Sequence, residues 1–333
     1  MESNRFEPKH PCPLCSSRLA EPIAARGRDG ADLTTVVCRG CGLLRSDPMP
    51  SAQELRQFYA NEYRLSYKGV RRPKPRHVAR AGRLALNRLR SLSAYVRPGD
   101  RVLDVGSGSG EWLYVLGRHG AVATGVEPDG RYVEFAKSEY SVDAVVGNIG
   151  EFQFEGRSFD AVTMMHVIEH LADPVGALRR CLSCLSDRGR LIVEAPNMAS
   201  PHQHPRKRFH AAHVVGFTPQ TLTRAAVEAG GEVIEVRLDS FSRNVTVIVA
   251  RRSDHAGAVA GPGPEDFVAA VRPQSTAAYC ASPLTLYRCA RRLAGFGREY
   301  VDAFGQSDPR RILDAMMVTM PSCRPAAEPG APG

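Results

Sequence analysis

The sequence predicts an α/β fold built on a parallel sheet, and three observations predict it. The apolar run Val102-Leu103-Asp104-Val105 leads into Gly106-Ser107-Gly108-Ser109-Gly110, and a helical pattern starts at Glu111. Strand, glycine turn and helix N-terminus in that order let a ligand reach backbone N–H groups, because glycine has no Cβ in the way. A second run, Ala123-Thr124-Gly125-Val126, closes with Glu127, twenty-one residues after Gly106. A carboxylate there suits the two hydroxyls of a ribose. A third run, Phe159 to Met165, delivers His166, Glu169 and His170 just beyond its end, at the edge where such sheets bind ligands.

The glycine spacing departs from the G-x-G-x-x-G of dinucleotide sites, since position 111 is Glu. Gly-x-Gly-x-Gly after a strand, the acid at Glu127 and the stretch from Phe159 to Pro174 together resemble the class I S-adenosylmethionine (SAM)-dependent methyltransferases, over roughly residues 100–250. The resemblance implies a seven-stranded Rossmann-like sheet with helices on both faces. It implies that Gly106, Gly108, Gly110 and Glu127 bind SAM, and that Asp104 orders the loop and reaches the methionine end through water. The segment Gly147-Asn148-Ile149 takes the place of the acid beside adenine, where an amide also accepts but without charge assistance. His166 is expected near the sulfonium.

The expected elements follow in order. Strands are expected at 101–105, 121–126, 142–146, 159–165 and 190–194, then a hairpin at 232–238 and 244–250. Helices are expected at 111–119, 130–139, 174–186 and 219–229, the last started by Thr218-Pro219.

Upstream, Cys12-Pro13-Leu14-Cys15 and Cys38-Arg39-Gly40-Cys41 form two C-x-x-C turns separated by 22 residues. Two such turns complete a thiolate tetrahedron, which favours Zn²⁺. Ile23, Leu33, Val36 and Val37 can supply short strands between them. The reading is a zinc ribbon with a structural ion, since four cysteines leave no open position; a redox pair is the alternative. Cys181 and Cys184 lie inside a helical pattern and read as small buried residues.

Ser51 and Glu54 mark a helix start of the capping-box type. The order C-x-x-C-G-L, Pro turn, F-Y-x-x-x-Y is similar to the N-terminal part of a bacterial methyltransferase subgroup in which this part covers the cofactor. That resemblance implies a contact from Tyr63 or Tyr67 to SAM or substrate; aromatic packing of a lid is the other reading. Residues 68–90 hold nine basic side chains and no acid. From Arg76, Val78, Ala81, Ala85, Leu89, Leu92 and Val96 line one helical face, with Arg76, Arg80, Arg83 and Arg90 largely opposite. Two readings stay open: a solvated face, or a site for an anionic substrate such as a nucleotide-linked sugar, a phosphorylated metabolite or RNA.

After the fifth strand the excursion Ser200 to Val214 holds His202, His204, His210 and His213. The family builds its substrate pocket there. His213 matches a recurrent histidine of the subgroup and is the first candidate for a general base, with His170 and His210 beside it. Four histidines without carboxylates in that loop are a weak metal signal. A Gly/Pro/Ala linker follows Ser253, then helical stretches, notably Leu284 to Phe304, and a disordered tail from 324.

The implied organisation is a ribbon (1–50), a helical lid with the basic helix (51–98), the SAM-binding domain (99–252), a linker (253–264) and a helical extension (265–333). At 333 residues and 43% hydrophobic, the chain suits a globular protein, and no apolar run approaches the roughly 18 residues that span a bilayer. The polar start, Met1 to His10, lacks a signal-peptide core, so a cytoplasmic location is expected. A net charge of +9 permits an anionic partner without demanding one. The expected activity is methyl transfer to an O or C centre of a small molecule, sugar, glycoconjugate or natural-product intermediate. The alternatives are an RNA base methyltransferase gripping RNA with ribbon and basic helix, and a non-catalytic SAM-fold module. Oligomeric state is not fixed by the sequence.

Overall fold

The structure is a computed structural model that describes residues 6–59, 72–154, 156, 158–204, 208–239, 243–252, 271 and 275–318. Tyr63, Tyr67, Lys68, Arg71, the linker 253–264 and the tail from 324 lie outside the described residues.

Four strands form a small sheet: β1 (Ala20–Arg26), β2 (Asp32–Cys38), β3 (Leu44–Ser46) and β9 (Val215–Gly216), in the order β1-β2-β3-β9. The larger sheet holds β4 (Arg101–Val105), β5 (Val122–Glu127), β6 (Asp143–Val146), β7 (Phe159–Met165), β8 (Leu185–Pro196), β10 (Gly231–Leu238) and β11 (Asn244–Arg251). Its order is β10-β11-β8-β7-β4-β5-β6. Strands β4, β5 and β6 run parallel, while β11 is antiparallel to both neighbours. The seven strands expected from the sequence are all present. Strand β8 is longer than expected, because its hydrogen-bonded pattern begins at Leu185, directly after the preceding helix.

The chain groups into two compact units. The first comprises Met1–Phe58, Met164–Ser183 and Leu191–Tyr287. Here β3 pairs with β9, Leu44 opposite Gly216 and Arg45 opposite Val215. Two further backbone bonds extend the seam, Ser46 N–H to Val214 O at 3.0 Å and Arg28 N–H to Phe209 O at 2.8 Å. Arg45, 1% exposed, bonds Asp47 at 2.9 Å and the His10 carbonyl at 2.6 Å. The helix α1 (Ala52–Gln57) carries the capping box of Ser51 and Glu54. The helix following β9, residues Pro219–Glu228, starts on a second capping pair, Thr218 and Thr221.

The second unit comprises Tyr59–Thr163, Cys184–Arg190 and Arg288–Gly333. Its basic helix α2 (Pro75–Ser91) buries Val78, Ala79, Gly82, Ala85, Leu86 and Leu89. The buried stripe is offset from the expected one, so Ala81 is half-buried while Gly82 faces inward. A Cβ on Gly82 would meet Leu313 Cδ2 at 2.3 Å, so glycine admits the helix Pro309–Val318. The basic face is engaged within the unit. Arg80 holds Glu299 with two bonds at 2.6 and 2.8 Å, Arg83 pairs with Asp302, and Arg76 donates to the Tyr300 hydroxyl at 2.8 Å. The helix α3 (Glu111–Arg118) follows the glycine turn, and α4 (Gly130–Tyr140) follows β5.

Candidate active site and cysteine cluster

The glycine turn is shaped by backbone geometry that only glycine adopts freely. Gly106, Gly108 and Gly110 have φ of 78°, 56° and 89°, in the left-handed region. Gly106 N–H and Ser107 N–H both donate to the Val126 carbonyl, at 2.7 and 3.2 Å. Gly108 N–H donates to Glu127 Oε2 at 2.9 Å, and Asp129 N–H donates to Oε1 at 3.2 Å. Glu127, 4% exposed, therefore fixes the turn as well as standing at its rim. Packing tightens the turn from below: a Cβ on Gly125 would lie 2.5 Å from Leu113 Cδ1 and 2.6 Å from Ser107 Oγ. Ser107 Oγ is buried and has no hydrogen-bond partner among the described residues. A turn of left-handed glycines with a buried hydroxyl left to pair fits a polar ligand such as SAM.

Asp104 lies below the turn, 4% exposed, and accepts from Thr163 Oγ1 at 2.7 Å; Thr163 accepts in turn from Trp112 Nε1 at 3.3 Å. Burial pushes the Asp104 carboxyl up to about 7, against the pull of the Thr163 bond. The Asn148 amide donates to Glu151 at 2.7 Å, and Ile149 beside it is buried. Ser109 donates to the Glu111 carboxylate at 2.7 and 2.9 Å, an anchor at the first turn of α3.

In the first unit, β7 ends at Met165 and the chain turns sharply at His166, whose φ of 57° is left-handed for a residue with a side chain. Such strain is held by its surroundings and gathers at functional positions. Here His166 N–H donates to the Glu194 carbonyl at 2.8 Å, and the ring lies between Glu194 (3.1 Å) and Glu169 (3.5 Å). Desolvation pulls its pKa down, but the two carboxylates prevail and hold it at about 9. A short 3₁₀ turn, Ile168–His170, then buries Glu169. Burial opposes the charge on Glu169, yet His166, His170 and His213 hold its carboxyl below the ordinary range.

The loop histidines gather on the same turn. His170 and His213 have ring centroids 4.9 Å apart, and His210 lies 3.8 Å from His213. Burial pushes His213 well below its ordinary value and takes His210 down to about 4, so both are neutral bases near pH 7. The three candidates for a general base, His170, His210 and His213, lie close to one another. Glu194 was not anticipated, although one polar residue within Leu191-Ile192-Val193-Glu194-Ala195 was its signal. Glu169 was noted without a role, and its neighbours supply the context that sequence spacing withholds.

Cys12, Cys15, Cys38 and Cys41 have sulfurs all within 4.8 Å of one another. Cys12 and Cys41 are 3.5 Å apart, as are Cys15 and Cys38. Bonds of about 2.3 Å to one ion place tetrahedral sulfurs about 3.8 Å apart, so the donor set fits such an ion. Hydrogen bonds from Cys12 and Cys41, with the Gly40 N–H at 3.3 Å, favour the Cys38 thiolate. Cys181 and Cys184 are buried.

Parts of the chain are similar to known methyltransferases. A family described as "Methyltransferase domain" matches residues 76–236. A ubiquinone biosynthesis O-methyltransferase of Xanthomonas axonopodis pv. citri is 38% identical over 122 residues, 34% of this chain and 51% of that protein. One from Coxiella burnetii is 29% identical over 104 residues, 30% of this chain and 44% of that protein. The chain thus spans about half the length of the curated relatives it matches. The magnesium protoporphyrin IX methyltransferase of Synechocystis PCC 6803 aligns with a TM-score of 0.49 at 14% identity, covering 60% of this chain and 100% of that one. With the glycine turn, Glu127 and the seven-stranded sheet in place, the family match supports a methyltransferase domain of the class I SAM-dependent kind over residues 76–236.

Proposed function

We propose that the protein transfers the methyl group of SAM to an oxygen or carbon centre of a small molecule, such as a sugar, glycoconjugate or natural-product intermediate. The observation that carries this reading is the bond from Gly108 N–H to the buried Glu127 carboxylate, which presets the turn for a nucleoside. The names of the curated relatives, both O-methyltransferases, favour oxygen. SAM supplies a methyl on a positively charged sulfur. The chain's part is to bind, orient and deprotonate. Gly106, Gly108, Gly110 and Glu127 hold the cofactor, with Asn148 and Ile149 at the adenine and Asp104 toward the methionine end. One histidine of the group His170, His210 and His213 takes up the acceptor's proton, and orientation supplies much of the acceleration. We also propose that Tyr63 or Tyr67, both outside the described residues, contacts SAM or substrate. The four N-terminal cysteines bind a structural Zn²⁺. No helix among the described residues is long and apolar enough to cross a membrane, and we place the activity in the cytoplasm.

The test is transfer of labelled methyl from SAM into extract separated into RNA, polysaccharide/lipid and small-molecule pools, with Glu127→Ala as control. Label in the small-molecule or sugar-bearing pool, lost in the control, is the expected result. Label in RNA alone, or no label despite SAM binding, would overturn it.

A further inference from the structure

Glu169 is an unusual carboxylate. Its side chain is 2% exposed, and neither oxygen has a hydrogen-bond partner among the described residues. Around Oε1 stand three imidazole nitrogens: His166 Nδ1 at 3.5 Å, His170 Nε2 at 3.9 Å and His213 Nε2 at 3.9 Å. All three stand outside good hydrogen-bond distance. A buried carboxylate is costly unless a cation compensates it closely, and the charged His166 ring stands 3.5 Å away.

One of these rings is oriented by its other nitrogen. His170 Nδ1 lies 2.6 Å from the Ala212 carbonyl. A carbonyl only accepts, so Nδ1 carries the proton and Nε2 of the neutral ring presents a lone pair. That lone pair and Glu169 Oε1 share one small space, where two electron-rich atoms repel and a cation would join them. A ring N–H given to a backbone carbonyl is also how metal-bound histidines are fixed.

We propose that Glu169, His170 and His213 form a binding site for a divalent transition ion, separate from the four-cysteine cluster. The donor atoms lie within 4.8 Å of one another. Bonds of about 2.1 Å to a tetrahedral ion require donors about 3.4 Å apart, so the 3.9 Å spacings close by about half an ångström on binding. Two imidazoles and a carboxylate suit Zn²⁺ or a neighbouring first-row ion and exclude none of the acceptor's oxygen chemistry. Three protein ligands leave a position open, unlike the closed cysteine set. An acceptor hydroxyl or phenol oxygen would fit there and lose its proton more readily, to His210, which lies beside His213 and is not a ligand. This role for the open position rests on the proposed methyl transfer; the binding of the ion does not.

The test uses full-length protein loaded with excess Zn²⁺, freed of loose ion by gel filtration and analysed for metal content. Two zinc ions per chain are expected, falling to one in Glu169→Gln and in His213→Gln. In parallel, Co²⁺ loading reads each site separately. The cysteine cluster gives thiolate charge-transfer bands, and the second equivalent adds ligand-field bands without them. A single zinc per chain, or a second cobalt equivalent with only thiolate bands, would overturn the proposal and leave His166 as the charge that offsets Glu169. The wild-type count and spectrum decide this whether or not the variants fold. Two ions in a protein that transfers no methyl would sink the proposed function and keep the site.

Discussion

Gly216 lies directly opposite Leu44 in an antiparallel pair, so the strand that follows His213 completes the small sheet of the cysteine-bearing segment. The backbone at Gly216 is close-packed: a Cβ there would meet Met198 Cγ at 2.9 Å and Leu44 Cβ at 3.3 Å. The cysteine cluster and the histidine loop are therefore one structural piece.

Removing the proposed ribbon ion, by chelation or by Cys38→Ser, is expected to loosen the loop as well as the ribbon. Structural zinc contributes about 10 kcal/mol or more to folding of small modules, and part of that is expected to support residues 209–217 if the proposed ion binds. Hydrogen exchange followed by mass spectrometry checks it. Amides of 209–217 should exchange at least about tenfold faster, alongside those of β1 to β3. Unchanged protection in the loop would refute the coupling.

Two glycines near the turn should respond in opposite senses. Gly125→Ala forces a methyl against Leu113 and Ser107 and is expected to cost about 1–3 kcal/mol while weakening SAM binding. Gly117, in the exposed part of α3, has nothing within 4 Å of an added Cβ. Gly117→Ala should stabilise by about 0.5–1 kcal/mol. Urea unfolding of both variants measures the contrast.

Much of this was legible in the chain. Strand β7 lies at 159–165 as read, since a run apolar but for Asp160 and Thr163, bounded by Ser158 and His166, leaves little freedom. The cysteine spacing marked the cluster, and Ser51 with Glu54 marked a helix start. The pairing of β3 with β9 was not legible, because 168 residues separate Ser46 from Val214 and two-residue strands carry no periodicity. Nor was the engagement of the basic helix: Arg80 and Glu299 meet only because the C-terminal helix packs there, 219 residues away.

That contact yields its own expectation. Glu299 is 8% exposed, whereas the Arg80 side chain is about half exposed, so solvent screens the pair and its direct worth is at most about 1 kcal/mol. Glu299→Gln should therefore change global stability little. It should, however, speed limited proteolysis within Pro283–Asp302 several-fold, because Arg80, Arg83 and Arg76 are the polar ties of that helix to α2. Unaltered cleavage would mean apolar packing alone holds it.

Asp104 links pH to stability. Its carboxyl is raised from the ordinary 3.8 to about 7 by burial, so between those values the folded protein holds a proton that the unfolded chain releases. Stability from this group is full below about pH 4 and is lost as pH rises through about 7. Asp104→Asn cannot ionise and escapes the loss. Relative to wild type without cofactor, it should gain on the order of a few kcal/mol between pH 5 and pH 8. Urea midpoints at both pH values test this, and parallel pH profiles for the two proteins would contradict it.

The central claim is that the glycine turn and Glu127 bind SAM, and a calorimetric titration of SAM into the full-length protein tests it most directly. Saturable one-to-one binding by wild type is predicted, with at least a tenfold loss in Glu127→Gln, about 1.4 kcal/mol, and an unchanged circular dichroism spectrum. Wild type that takes up no SAM, or a variant that binds as tightly as wild type, would contradict the account.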